Sequence, residues 1–217
     1  MIGISANLGF LWRELPLPEA IDAAAAAGFD AVECHWPYDC DPKDVNAALQ
    51  ASGLTMLSLN TERGAGFGLS AIDGGEVAAR AAIDRAVDYA VAIGARNIHV
   101  MAGFASGEAA HRAFVSNLRY GLARVAGHGI ALLIEPLNHH DAPGYFLQTA
   151  DQAAAIIAEI GDTNLRLMFD CYHLQIMQGG LPDLLAKMLP IIGHIQIAAV
   201  PDRGEPDRGD IDYREIF

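Results

Sequence analysis

The sequence predicts an α/β fold in which parallel strands close into a (β/α)8 barrel. Short apolar runs alternate without a break with longer segments of helical character. Such runs are typical of buried parallel strands, and a regular series of βα units predicts a parallel sheet. An open nucleotide-binding sheet would carry a glycine-rich turn after its first strand, whereas the turn at 7–12 contains only Gly9. The closed barrel is therefore preferred over the open sheet.

The alternation predicts seven strands and six helices between them. Asp41 before Pro42, and Thr149 three residues before Gln152, are typical signals for the start of a helix. The predicted strands lie near Ile2–Asn7, Ala31–His35, Thr55–Asn60, Asn97–Ala102, Ala131–Glu135, Leu165–Asp170 and Ile192–Gln196. The predicted helices lie near Pro18–Ala27, Pro42–Ser52, Gly75–Ile93, Glu108–Ala126, Thr149–Ile160 and Leu181–Leu189.

The pattern reaches Phe217 at the start of a further helix after Asp212. An eighth strand and the last helices, roughly 30–40 residues by the size of a βα unit, are therefore expected to be absent from the 217 residues given. We expect one barrel domain over residues 1–217 that is incomplete at its C-terminal end, either because further residues complete it or because the chain is a truncated form.

Composition limits the function classes. With 52% hydrophobic and 19% charged residues, the chain can bury a large core. Its formal charge of −13 repels phosphate backbones and anionic lipid, so neither nucleic acid nor a membrane is an expected partner. Three unpaired cysteines, no signal peptide and no long apolar stretch predict a cytoplasmic enzyme.

Three apolar runs end directly on a side chain of a metal-binding type, namely Glu135, Asp170 and Gln196. In α/β barrels the carboxyl ends of the strands face the ligand site, so these side chains should converge. A buried carboxylate is costly unless it meets a cation or several donors. Carboxylate and amide oxygens favour Mg²⁺ or Mn²⁺ over zinc, so the sequence predicts one divalent metal ion there.

Other polar residues could join this site. His173 follows Asp170 by three residues, and Asn7, Asn60 and His99 lie at or near other strand ends, although a turn-forming asparagine or a core histidine is an equally ordinary explanation. Either Glu33 or His35 could face the pocket. Arg203 lies in the loop after the seventh strand, where it could bind a carboxylate or simply pair with Glu205 on the surface.

Several segments resemble the hydroxypyruvate isomerase family, within the xylose isomerase-like TIM barrel superfamily. They are residues 5–8, 28–33, 37–38, 117–120, 134–139, 170–173, 193–198 and 203–206. Residues 68–72 and 99–103 are similar instead to 2-oxo-tetronate isomerases. The resemblance implies a catalytic, metal-binding Glu135, the further ligands Asp170 and Gln196, and substrate contacts from His173 and Arg203. The family also uses a strand-eight glutamate, which these 217 residues do not reach.

The resemblance implies interconversion of hydroxypyruvate and 2-hydroxy-3-oxopropanoate (tartronate semialdehyde) through an enediolate. A 2-oxo-tetronate isomerase or a related sugar epimerase is the alternative. More distant alternatives are an endonuclease IV-like DNA-repair nuclease, which the charge opposes, and a non-catalytic sugar-acid binder. The oligomeric state stays open, because Trp12 and Trp36 could equally close the pocket, form a contact in a homo-oligomer or pack as ordinary loop residues.

Overall fold

The computed structural model describes residues 3–217, in which seven parallel strands form one sheet in sequential order, β1 to β7. The strands are β1 (Ser5–Asn7), β2 (Ala31–Glu33), β3 (Thr55–Asn60), β4 (Asn97–His99), β5 (Ala131–Ile134), β6 (Leu165–Asp170) and β7 (Ile192–Gln196). The helices are α1 (Leu17–Ala26), α2 (Pro42–Ser52), α3 (Glu76–Ile93), α4 (Gly107–Val125), α5 (Ala150–Ile160), α6 (Cys171–Met177), α7 (Leu181–Met188) and α8 (Tyr213–Ile216), with a 3₁₀ turn at Leu189–Ile191.

The sheet curls toward a barrel. Side chains of β7 reach across the interior to Glu33 on β2, although the two strands are separated by four others in the sheet. The helices pack their apolar faces on the sheet; α1, for example, buries Ala20, Ile21 and Ala24. No helix in the described part of the chain is both long and apolar enough to cross a membrane.

The predicted elements agree closely with the observed ones. Three strands and α2 have the predicted bounds, and the predicted helix after Asp212 is α8. The first predicted strand begins at Ile2, which lies outside the described residues; its observed part is Ser5–Asn7. The strands predicted to reach His35, Ala102 and Glu135 end earlier, because the chain turns toward the site as soon as ladder pairing stops.

One helix was not predicted. Strand β6 passes without a loop into α6, and the Asp170 side chain accepts a hydrogen bond from the backbone N–H of Tyr172 at 2.8 Å, which caps the new helix. A single residue therefore ends a strand and begins a helix. The predicted α5 cap is present, since the Thr149 hydroxyl accepts a hydrogen bond from the backbone N–H of Gln152 at 3.1 Å.

Candidate active site

A cavity of about 90 Å³ opens among the residues at the carboxyl ends of the strands. Seven of the eight residues singled out from the sequence line it: Asn7, Asn60, His99, Glu135, His173, Gln196 and Arg203. The eighth, Asp170, lies with Glu135 and His173 in a buried group whose ligand atoms are within 4.8 Å of one another. The structure thus brings all eight residues to one place.

Glu135 and Asp170 form the negatively charged centre of the site. Glu135 follows β5 directly, Asp170 is the last residue of β6, and both are almost fully buried. Burial, and then the charge of Asp170, raise the pKa of Glu135 well above its ordinary value. Because two neighbouring carboxylates repel each other when both are ionised, a positive charge beside them would be strongly stabilised. Their oxygen donors fit a hard divalent cation.

His173 is oriented by Asn138. The backbone N–H of Asn138 donates to Nδ1 of His173 at 3.1 Å, and Nη2 of Arg203, which can only donate, lies 3.1 Å from Nε2. A neutral imidazole accepts at one nitrogen only, so these two contacts are alternatives. Burial lowers the pKa of His173, which favours this neutral form. The Nε2 atom lies 3.7 Å from Oδ2 of Asp170 and 3.9 Å from Oε1 of Glu135. With its proton on Nε2, His173 offers the site a donor; with its proton on Nδ1, it offers Arg203 or a cation a lone pair.

The end of β7 brings Gln196 beside Asp170, its partner in the β6–β7 register. The Gln196 amide nitrogen donates to Oε1 of Glu33 at 3.0 Å, and Nε2 of His194 lies 3.0 Å from Oε2 of the same carboxylate. Glu33 is therefore held by two side chains of β7. Gln196 therefore lies beside Asp170, at the place where the sequence predicts a third oxygen ligand.

Arg203 closes the site from the loop after β7. Its Nη2 donates to Oδ2 of Asp170 at 3.2 Å, and its Nη1 lies 3.6 Å from Asp141. The guanidinium lies between the rings of Phe10 and Tyr172, 4.6 and 4.8 Å from their centroids. Its backbone has the left-handed φ of 55°, unusual for a residue with a side chain and often seen at functional sites.

Two alternatives left open by the sequence are decided by these contacts. The surface pairing of Arg203 with Glu205 is wrong, because Glu205 accepts its hydrogen bond from Arg208. His99 is both a core histidine and a site residue: it is buried, yet its Nδ1 lies 3.5 Å from Oε2 of Glu135. Burial lowers the pKa of His99 to about 3, so the ring is neutral at physiological pH.

The two asparagines make structural contacts while lining the cavity. The Asn7 side chain accepts a hydrogen bond from the backbone N–H of Gly9 at 2.9 Å, which is the turn-forming use of asparagine. The backbone carbonyl of Asn60 accepts the hydroxyl proton of Tyr38. Sequence reasoning did not select Asp141, whose position in a loop six residues after Glu135 carries no pattern. Both candidates Glu33 and His35 line the cavity.

Taken together, Glu135, Asp170 and His173 form a buried group at the strand ends of a barrel that could hold a metal ion. A family model described as "Xylose isomerase-like TIM barrel" matches residues 21–217. The chain is a member of that family.

Relatives and a solved structure place it more closely. The chain is 42% identical to a 2-oxo-tetronate isomerase of Cupriavidus necator, over 98% of this chain and 85% of that protein. It is 38% identical to the hydroxypyruvate isomerase of Escherichia coli, over 100% of this chain and 87% of that protein. The crystal structure of an AP endonuclease, family 2, from Brucella melitensis superposes with a TM-score of 0.95 at 37% identity, covering 99% and 86% of the two chains. The predicted barrel and family are confirmed.

Proposed function

We propose that the protein is a metal-assisted aldose–ketose isomerase of a small hydroxy-oxo acid, and that hydroxypyruvate and 2-hydroxy-3-oxopropanoate are its substrate pair. The observation that carries the proposal is the buried group of Glu135, Asp170 and His173, with Arg203 donating into it. The names of the relatives agree with this class of reaction. The predicted isomerase activity therefore rests on both the site and the comparisons.

Residues Glu135, Asp170 and Gln196 would hold the cation, Mg²⁺ or Mn²⁺. When bound, it supplies positive charge that polarises the substrate carbonyl and favours the enediolate. Three oxygen donors of this kind fit such an ion better than they fit zinc. The neutral His173 lies beside these residues in the wall of the site.

Glu135 is the proposed acid/base. Its carboxylate would take the proton from C3 of hydroxypyruvate and deliver a proton to C2, while a hydroxyl proton passes between the adjacent oxygens. Burial raises the pKa of Glu135, which favours the protonated form that acts as the acid, and a bound cation would favour the ionised form that acts as the base. The guanidinium of Arg203 would donate to the substrate oxygens on which negative charge develops, and His173 would join it when its proton is on Nε2.

The size of the cavity favours a small substrate. Its volume of about 90 Å³ is well below the roughly 300–1,000 Å³ of pockets that enclose drug-sized ligands. Among the described residues that line it, Arg203 is the one arginine or lysine, and it offers a two-pronged partner for a carboxylate. A 2-oxo-tetronate is the second candidate substrate, favoured by the relative in Cupriavidus necator.

The test is hydrogen exchange with solvent. In D₂O with Mg²⁺ or Mn²⁺, we expect deuterium to enter C3 of hydroxypyruvate and the aldehyde product to form, both followed by proton NMR. The matched control is Glu135→Gln, which keeps the shape of the side chain and should lower the rate by about 10²–10⁴-fold. The absence of exchange with either hydroxypyruvate or 2-oxo-tetronate in the wild type would sink the proposal.

A DNA-repair activity is the competing proposal, suggested by the name AP endonuclease that the similar Brucella melitensis protein carries. The formal charge of −13 opposes it, because binding to DNA depends on lysine and arginine side chains that neutralise phosphates. We expect the protein to pass unretained over immobilised abasic duplex at physiological salt. Salt-sensitive retention with strand cleavage would favour the nuclease instead.

A further inference from the structure

Glu33 has no role in the proton transfer, yet it is buried at the wall of the active site. It is the last residue of β2, and its side chain is only 7% exposed. Each of its two oxygens has one partner on the opposite side of the barrel: Oε1 accepts from Gln196, and Oε2 lies 3.0 Å from Nε2 of His194. Both oxygens of the buried Glu33 carboxylate are therefore in contact with side chains of β7.

This contact determines which way the Gln196 amide faces. A side-chain amide has an oxygen that accepts and a nitrogen that donates, and the two have nearly the same shape. Because an ionised carboxylate only accepts, the Gln196 atom 3.0 Å from Glu33 must be the nitrogen. The amide oxygen is then the atom left free for the interior of the site, where Asp170 lies next to Gln196 in the sheet register.

We propose that Glu33 is a positioning residue that locks the Gln196 amide with its oxygen toward Glu135 and Asp170, and so sets the affinity of the site for a divalent cation. The inference rests on the proposed function for the identity of the ligands. His194 contributes by holding the second oxygen of Glu33. Groups that orient a metal ligand in this way typically change affinity by about 10–100-fold when they are replaced.

Glu33→Gln is the informative change. It keeps the shape, but the new amide can donate to the Gln196 oxygen and allow the Gln196 amide to turn over. The change also removes a negative charge close to Glu135, whose pKa is raised in part by Glu33. That charge effect would weaken cation binding by itself, so the single variant cannot separate orientation from charge.

A double-mutant cycle separates them. We would titrate Mn²⁺ into the wild type, Glu33→Gln, Gln196→Ala and the double variant, and measure the Kd by electron paramagnetic resonance. We expect Glu33→Gln to raise the Kd about 10–100-fold in the wild type. In the Gln196→Ala background the fold-change should be several-fold smaller, because only the charge effect remains there, and the difference should exceed the scatter of about twofold that independent changes show. Asp88→Asn, on the exposed face of α3, is the matched charge control and should leave the Kd unchanged.

An equal fold-change in both backgrounds would overturn the proposal in favour of a pure charge effect. An unchanged Kd in Glu33→Gln, or a wild type that does not bind Mn²⁺, would also overturn it.

NMR of the metal-free protein gives an independent readout. The Gln196 side-chain NH₂ pair, assigned by its loss in Gln196→Ala, should be well dispersed in the wild type and move toward the free-amide position in Glu33→Gln. An unmoved pair would refute the contact. Mn²⁺ binding with the expected cycle but without isomerase activity would instead count against the proposed function alone.

Discussion

His35 gives the most quantitative prediction for the folded protein. Its ring lies between the β1–α1 and β2–α2 loops, with its centroid 5.0 Å from that of the Phe10 ring and 5.2 Å from that of Trp36. Gly9 approaches so closely that a Cβ at that position would lie 2.2 Å from Nδ1 of His35. This packing removes water from the imidazole and lowers its pKa from 6.5 to about 4.

The sign of the effect on stability follows from the protons that each state binds. Between pH 6.5 and 4 the unfolded chain takes up a proton at position 35 that the folded protein does not, so the free energy of unfolding falls as the pH is lowered. From pH 7.5 to 5.0 the loss is about 2 kcal/mol, taking 1.36 kcal/mol per pKa unit. Arg203 and Arg13 act in the same direction, and Glu33 acts against them.

The perturbation is His35→Gln, which fills the site with a side chain that does not titrate. We would measure the free energy of unfolding in urea at pH 7.5 and 5.0 on the metal-free protein. Whatever packing the variant loses at pH 7.5, its stability should fall by about 2 kcal/mol less than that of the wild type on going to pH 5.0. His128→Gln is the control, since His128 is exposed, and it should keep the wild-type slope. Equal losses in wild type and His35→Gln would refute the reasoning.

Two further predictions concern the same loops. Gly9→Ala should lower the free energy of unfolding by about 1–3 kcal/mol, because the added Cβ overlaps the His35 ring, and urea unfolding should show most of that loss relieved in a His35→Ala background. Persistence of the full loss there would contradict the overlap. Arg203→Lys keeps the positive charge, but a single ammonium group cannot replace the two-pronged guanidinium that contacts both Asp170 and Asp141. In steady-state assays with hydroxypyruvate, kcat should therefore fall about 10²–10³-fold. Kinetics within twofold of the wild type would remove Arg203 from the site.

The strand-end positions were predictable because they follow from the period of the sheet. A buried parallel strand has a nearly continuous apolar sequence. The first polar residue after it lies at the carboxyl end of the strand, on the same side of the sheet as the polar residues that end the neighbouring strands. That is why Glu135, Asp170 and Gln196 could be placed together from the sequence, and why the β6–β7 register pairs Asp170 with Gln196. Their roles as ligands remain predictions.

The partners of these residues could not be predicted in the same way. Asn138, which orients His173, lies 35 residues from it, and Glu33 is 163 residues from Gln196. Such contacts depend on which loops and strands face one another across the barrel, and a single strand's pattern carries no information about that. The helix α6 was missed for a related reason: Asp170 caps it while also ending β6, so no loop composition marks the boundary.

The charges in the site explain why the proposed reaction needs both a cation and Arg203. The site contains four acidic side chains, Glu33, Glu135, Asp141 and Asp170. An anionic substrate is therefore repelled by these nearby carboxylates and by the formal charge of −13 on the whole chain. At physiological salt, charges farther away than about 8 Å are largely screened, so the local groups decide. Arg203 is held by two of these carboxylates, which fixes its position and also offsets part of its charge. We therefore expect a hydroxy-oxo acid to bind well only when a divalent cation offsets the rest, so that substrate affinity, as well as turnover, should depend on the metal.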